Sequence, residues 1–182
     1  MDVKTAAALI QGAVVPGEAT WADLGAGTGT LTLALASLLG QNGRIIALDR
    51  DASALAELRS VVRESALAQQ VVIQRGDFLQ PLNLPPLDGV LLANALHFVP
   101  RRDQRSVLSH IVAPLRPGGR LLVVDYDGRA ANQWVPFPVS SRRLAEMLTD
   151  VGVAAPAVVG SIPSRYGGSI YAVLALTPAP AP

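Results

Sequence analysis

Two hydrophobic rhythms run along this chain, a period near 3.6 residues and short unbroken apolar runs, and the switches between them mark its elements. Residues 3–12 have the spacing of a short amphipathic helix, and Pro16-Gly17 breaks the chain before a first strand at Thr20 to Leu24. LTLALASLLG then reads as a helix that Gly40 can stop, and RIIALD as a second strand closed by Asp49. Asp51 is placed to cap a helix running through Ala66, in which Leu55, Leu58 and Val62 recur at helical spacing. VVIQ is a third strand, QPLNLPPL a proline-rich loop, and GVLLAN an apolar run that suits a central strand buried on both faces.

A helix follows from about Arg101, with Val107, Leu108, Ile111, Val112 and Leu115 on one face and Arg102, Arg105 and Ser109 on the other. Pro117-Gly118-Gly119 is expected to end it. RLLVVDY is a fifth strand, SRRLAEMLTDVG a helix, PAVVG a short strand and SIYAVLAL a last strand. The closing TPAPAP has the composition of a disordered segment, so one domain is expected over residues 1–176 with a Pro/Ala tail at 177–182. Strands alternating with helices, without repeats or linkers, argue for an α/β fold: a mostly parallel sheet with helices on both faces, a Rossmann-like three-layer sandwich. Ligands of such sheets bind beyond the carboxyl ends of the strands, so the residues just past each strand are the ones to inspect.

Composition narrows the chemistry. Of 182 residues 50% are hydrophobic but only 4% aromatic, so the core must be built from Ala, Val, Leu and Ile. Fifteen basic residues against fourteen acidic ones leave a net charge of +1, which gives no footprint for nucleic acid. There is no cysteine, and two histidines, His97 and His110, show no metal-ligand spacing, so no metal is expected. No apolar run approaches the roughly 18 residues that span a bilayer, and the N-terminal run is interrupted by Gln11 and Gly12. A cytoplasmic protein without membrane contact is the expectation.

The most informative stretch is WADLGAGTGTL, a glycine loop between a strand and a helix. A phosphate-binding loop of the Walker type needs Gly-Lys-Ser/Thr, whereas Gly29 is followed by Thr30 and Leu31. The dinucleotide fingerprint needs glycine at position 30, so Gly25-Ala26-Gly27-Thr28-Gly29 matches it only in part. An acidic residue that could bind ribose hydroxyls, about 20 positions on, is present as Asp49. Asp23 is the anomaly: a carboxylate there sits poorly beside a pyrophosphate but suits a ligand carrying an ammonium group. S-adenosylmethionine has such a group, a sulfonium in place of phosphates, and a carboxylate that amides at a helix N-terminus can bind.

DLGAGTG, ALDRD, RGDF, NALHFV and LRPGGRLLVVDYD, in this order and spacing, resemble the class I S-adenosylmethionine-dependent methyltransferases over about Trp21 to Leu176. The resemblance implies a seven-stranded sheet with the last strand, SIYAVLAL, inserted antiparallel. It also implies that Asp23 and the backbone of Gly25, Ala26, Gly27, Thr28 and Gly29 hold the methionine part. Asp49 would take the ribose hydroxyls, with Arg50 beside it, Asp77 the adenine amino group, and Phe78 the ring face. Asn94 and Ala95 would line the pocket near the ammonium and the transferable methyl, and the product would be S-adenosylhomocysteine.

Each assignment has a plainer counterpart. Asp49 could cap the next helix, Asp77 could close its own turn, Asp23 could pair with a nearby amide, and Arg50 could meet a 2′-phosphate as in NADP. His97 is placed as a general base or as a histidine that only caps or packs. His110 falls on a polar helix face, and Arg101, Arg102 and Arg105 make either a solvated face or a rim for an anionic substrate. Residues 126–139, including Tyr126, Trp134 and Phe137, leave the fifth strand at its carboxyl end as a lid over the site or a cover for the sheet edge. Arg165 and Tyr166 could complete that wall. Methyl transfer needs positioning and desolvation more than a dyad, and nothing in the sequence resembles a triad. A small-molecule acceptor is expected, since neither added surface nor added charge is visible. A homodimer is compatible with the open apolar site. A non-catalytic S-adenosylmethionine-binding module and a nicotinamide oxidoreductase are the competing readings.

Overall fold

The computed structural model describes residues 1–65, 67 and 70–179. Its strands are β1 (Thr20–Leu24), β2 (Arg44–Asp49), β3 (Val71–Arg75), β4 (Leu87–Ala93), β5 (Leu115–Asp127), β6 (Ala154–Pro163) and β7 (Ser169–Leu176). Its helices are α1 (Val3–Ile10), α2 (Thr30–Leu39), α3 (Ala52–Glu64), α4 (Gln104–Val112) and α5 (Ser141–Asp150). The strands form one seven-stranded sheet in the order β3-β2-β1-β4-β5-β7-β6. Only β7 runs antiparallel to its neighbours, as the resemblance implies. Among the described residues no helix is long and apolar enough to cross a membrane.

Alternation along the strands decides which residues face which layer. In β5, Leu122 and Val124 pack with α1, α2 and α3, while Leu121 and Val123 pack with α4 and α5. Both faces are therefore apolar, which is why the central strands read as unbroken hydrophobic runs. Asp51 caps α3 as the sequence implies, accepting hydrogen bonds from the Ser53 and Ala54 amides, and Ser140, which the sequence reading did not single out, accepts from the Arg143 amide at the head of α5. Ala66, the expected end of α3, lies outside the described residues.

Three expectations are corrected. The helix expected from Arg101 to Pro117 starts at Gln104 and stops at Val112, because Pro114 has no N–H to continue it. Leu115, expected on that helix, instead opens β5 opposite Leu87, and the Pro117-Gly118-Gly119 turn lies inside an irregular stretch of the β4–β5 register. His110 is not simply solvated: its Nε2 sits 2.9 Å from the Gln80 carbonyl oxygen. At the C-terminus, the Thr177 amide donates to the Gly119 carbonyl at 2.9 Å, while residues 180–182 of the expected tail lie outside the described residues.

Gly89 shows how tightly the sheet centre is packed. A Cβ there would fall within the indole of Trp21, which is buried on the neighbouring strand. Gly89→Ala is expected to cost about 3 kcal/mol of stability by overpacking, read from the urea midpoint at unchanged slope. A loss below about 0.5 kcal/mol would show that the indole moves aside at little cost.

Candidate functional site

Strand order reverses direction between β1 and β4, and the loops leaving those two strands diverge there to open a crevice. The loop after β1 is anchored to β2, since the Gly25 and Ala26 amides both donate to the Leu48 carbonyl, at 2.8 and 3.0 Å. Gly29, at φ +94°, turns the chain into α2, and a Cβ there would collide with Leu58 of α3. The sequence places glycine where left-handed backbone and close approach coincide.

Asp49 ends β2 with both carboxylate oxygens oriented by backbone. Oδ2 accepts from the Gly27 amide at 2.7 Å and Oδ1 from the Asp51 amide at 2.9 Å. Helix capping falls to Asp51, so Asp49 faces the crevice, where each oxygen keeps a second lone pair. Asp77 does close its own turn, its Oδ1 accepting from the Leu79 amide, but its Oδ2 is left toward Arg50, 4.0 Å away. Gly25, Asp49, Arg50, Asp77, Phe78, Asn94 and Ala95 line a pocket of about 200 Å³.

A second pocket of about 330 Å³ adjoins it along Gly25, Asp49 and Asn94. It is walled by Asp23, Ala26, Gly27, Thr28 and Gly29. Asp23 is 1% exposed; the Thr32 hydroxyl donates to its Oδ2 at 2.6 Å, and its Oδ1 has no partner. Burial pushes its carboxyl up to about 7, and the charge of Asp49 adds to the rise against the Thr32 hydrogen bond. The Oδ1 of Asn94 is likewise buried without a partner. Asn94 adopts φ +51°, a left-handed conformation that asparagine tolerates, directly past β4. Asp23 and Asn94 both line this pocket, and each leaves one buried acceptor without an N–H donor.

A third pocket, about 550 Å³, opens on the other side of Asn94 and is lined by His97, Phe98, Tyr126, Arg129, Trp134, Val135 and Tyr166. His97 is 2% exposed. Its Nδ1 lies 2.7 Å from Oδ1 of Asp125, and its own amide donates to Oδ2 at 3.2 Å. The fully buried Asp125 also accepts from the Tyr126 amide at 2.8 Å, so both of its oxygens serve as hydrogen-bond acceptors. Nδ1 therefore carries the proton toward Asp125, and Nε2, which makes no hydrogen bond among the described residues, is the atom left for the pocket.

The structure thus gathers the twelve sequence candidates from Asp23 to Ala95 around two joined pockets, and His97, Tyr126, Trp134 and Tyr166 around a third. Arg165 lines a neighbouring pocket with Tyr126 and Tyr166 and stacks on the Tyr166 ring at 4.7 Å. Of the two readings for the helix arginines, the solvated face holds for a pair of them: Arg102 pairs with Asp103 and Arg105 with Asp150, both largely exposed. Sequence reasoning missed Thr32, Phe98, Asp125 and Arg129. Asp125 had a signal, an acid ending an apolar strand at the carboxyl edge of the sheet.

A family model described as a methyltransferase domain matches residues 22–119, more than half of the chain. A demethylmenaquinone methyltransferase of Lactobacillus johnsonii is 33% identical over 104 residues, covering 57% of this chain and 42% of that protein. A carboxy-S-adenosyl-L-methionine synthase of Chromohalobacter salexigens is 26% identical over 141 residues, covering 68% of this chain and 52% of that protein. This chain therefore spans about half the length of these relatives, or less. Among solved structures, a SAM dependent methyltransferase from Aquifex aeolicus shares the fold at a TM-score of 0.73 and 18% identity, over 94% of this chain and 88% of that one.

Proposed function

This chain belongs to the methyltransferase domain family, and from that premise we propose that it methylates a small-molecule acceptor using S-adenosylmethionine. The observation that carries the reading is the pair of buried, unmatched oxygens, Asp23 Oδ1 and Asn94 Oδ1, on the pocket behind the glycine loop. An α-ammonium group offers three N–H donors and a positive charge, which would satisfy both and draw the Asp23 proton off. A dinucleotide pyrophosphate would supply neither.

In this reading the amides at the head of α2 bind the amino-acid carboxylate, as helix N-termini bind anions. Asp49, held by two backbone amides, accepts from the ribose hydroxyls; Asp77 Oδ2 accepts from the adenine amino group, Phe78 packs on the ring, and Arg50 closes the rim. When bound, the cofactor supplies a sulfonium-activated methyl carbon. The protein then has to place an acceptor in line with it and keep water out, which the pocket beyond Asn94 is positioned to do. His97 accepts the proton of an acceptor hydroxyl at Nε2, and Asp125 fixes the ring and stabilises the resulting imidazolium.

The test is calorimetric titration with S-adenosylmethionine, S-adenosylhomocysteine and NADPH, followed by an acceptor screen that reads S-adenosylhomocysteine formation. Both sulfur ligands are expected to bind, and Asp49→Ala is expected to weaken them by about a hundredfold, roughly two charge-assisted hydrogen bonds. Silence from both with a response to NADPH would overturn the reading.

A further inference from the structure

The chain has two tryptophans, three tyrosines and three phenylalanines, and four of these eight rings, Phe98, Tyr126, Trp134 and Tyr166, line the single pocket beyond Asn94. Phe98, Trp134 and Tyr166 are 53%, 72% and 59% exposed, so the protein holds apolar ring surface against water that a flat occupant would cover.

Two guanidinium groups lie against these rings, Arg165 over Tyr166 from the neighbouring pocket and Arg129, which lines this pocket itself. The Arg129 guanidinium lies 5.0 Å from the centre of the Tyr126 ring and 5.6 Å from that of Tyr166, which hold it by cation–π attraction. It is half-buried and has no acidic partner among the described residues. The adjacent acids are committed elsewhere, Asp125 to His97 and Asp127 to Ser141. A neutral occupant would cover this guanidinium and leave its donors unmatched; a carboxylate would match them in a fork.

His97 lines the same pocket, its ring 5.8 Å from that of Tyr126, and its Nε2, without a hydrogen bond among the described residues, can take a proton from an acceptor that has one to give up. Building on the methyltransferase reading, we propose that the acceptor is an aromatic hydroxy acid: its ring lies among Tyr126, Trp134 and Tyr166, its carboxylate meets Arg129, and its hydroxyl faces His97. As the new O–CH3 bond forms, the hydroxyl proton passes to Nε2 and the methyl–sulfur bond breaks with its electron pair left on sulfur. One positive charge, on the sulfonium before the reaction, resides on the imidazolium after it.

The experiment titrates protein saturated with S-adenosylhomocysteine, and the same protein without it, with para-hydroxybenzoate, protocatechuate, para-coumarate and hydroxynaphthoate, each beside its methyl ester. At least one acid is expected to bind tenfold or more tightly than its ester, Arg129→Gln to erase that preference, and Arg129→Lys to keep part of it. S-adenosylhomocysteine affinity serves as the folding control, because Arg129 does not line the glycine-loop pocket. Acids that bind no better than esters throughout the series, or a preference that survives in Arg129→Gln, would overturn the proposal. Failure of S-adenosylhomocysteine to bind, with an Arg129-dependent acid preference intact, would remove the cofactor reading and leave the acid site standing.

Discussion

Replacing His97 by glutamine is expected to lower kcat about a thousandfold while S-adenosylmethionine affinity changes less than about threefold. The split follows from placement. His97 lines the pocket beyond Asn94 and not the glycine-loop pocket, so on the proposed function its loss removes proton acceptance without touching the groups assigned to the cofactor. Asp125→Asn should fall nearly as far by a different route. An asparagine amide donating to Nδ1 would move the ring proton to Nε2, leaving the imidazole in place with the wrong atom protonated. Turnover of the acceptor found by the screen, at saturating cofactor, reads both variants. A His97→Gln enzyme within tenfold of the parent would show that His97 only packs, the plainer alternative for this residue.

The second large effect concerns Asp23, and it has two readouts with one cause. Folding raises the Asp23 carboxyl from 3.8 to about 7 by burial. The native state therefore keeps a proton that the unfolded chain gives up, so this residue makes the protein less stable as pH rises from about 4 to 7, and the loss persists above that window. At 1.36 kcal/mol per pH unit the loss amounts to about 4 kcal/mol. Asp23→Asn is neutral throughout, so relative to it the parent should lose about that much unfolding free energy between pH 4 and pH 8, measured in urea without cofactor. Saturating S-adenosylmethionine should flatten the slope, because an ammonium beside the carboxyl holds it ionised. The same substitution should weaken cofactor binding by a hundredfold or more. Parallel stability curves with unchanged affinity would sink the assignment of Asp23 to the ammonium.

What was readable in advance was local in sequence. Asp23, the glycines and Asp49 announce themselves because a strand end, a loop and a helix start are consecutive, and each residue's task is set by neighbours a few positions away. The antiparallel seventh strand came from resemblance, since periodicity does not say which way a strand runs. The end of α4 was misjudged because Leu115 continues a helical apolar stripe, and the register only breaks at Pro114, whose consequence is a strand pairing with Leu87. The His97–Asp125 contact joins residues 28 positions apart, and no spacing rule connects them. Arg129 was invisible for a related reason: an arginine after a glycine turn looks solvated until the fold brings Tyr126 and Tyr166 to either side of it.

Asn94 has a consequence of a different kind. It stands on the wall shared by the two joined pockets at the glycine loop and the pocket beyond it, in a backbone conformation few residues accept. On the proposed function, a change there to suit a new acceptor would disturb cofactor capture as well, so drift in substrate preference is barred from Asn94. It is free instead in residues 128–135 and 164–166, whose Arg129, Trp134 and Tyr166 line the pocket beyond Asn94 without lining the glycine-loop pocket. Descendants of this chain would then diverge in what they methylate by rewriting two surface loops, with the sheet and its first five glycine-loop positions inherited intact.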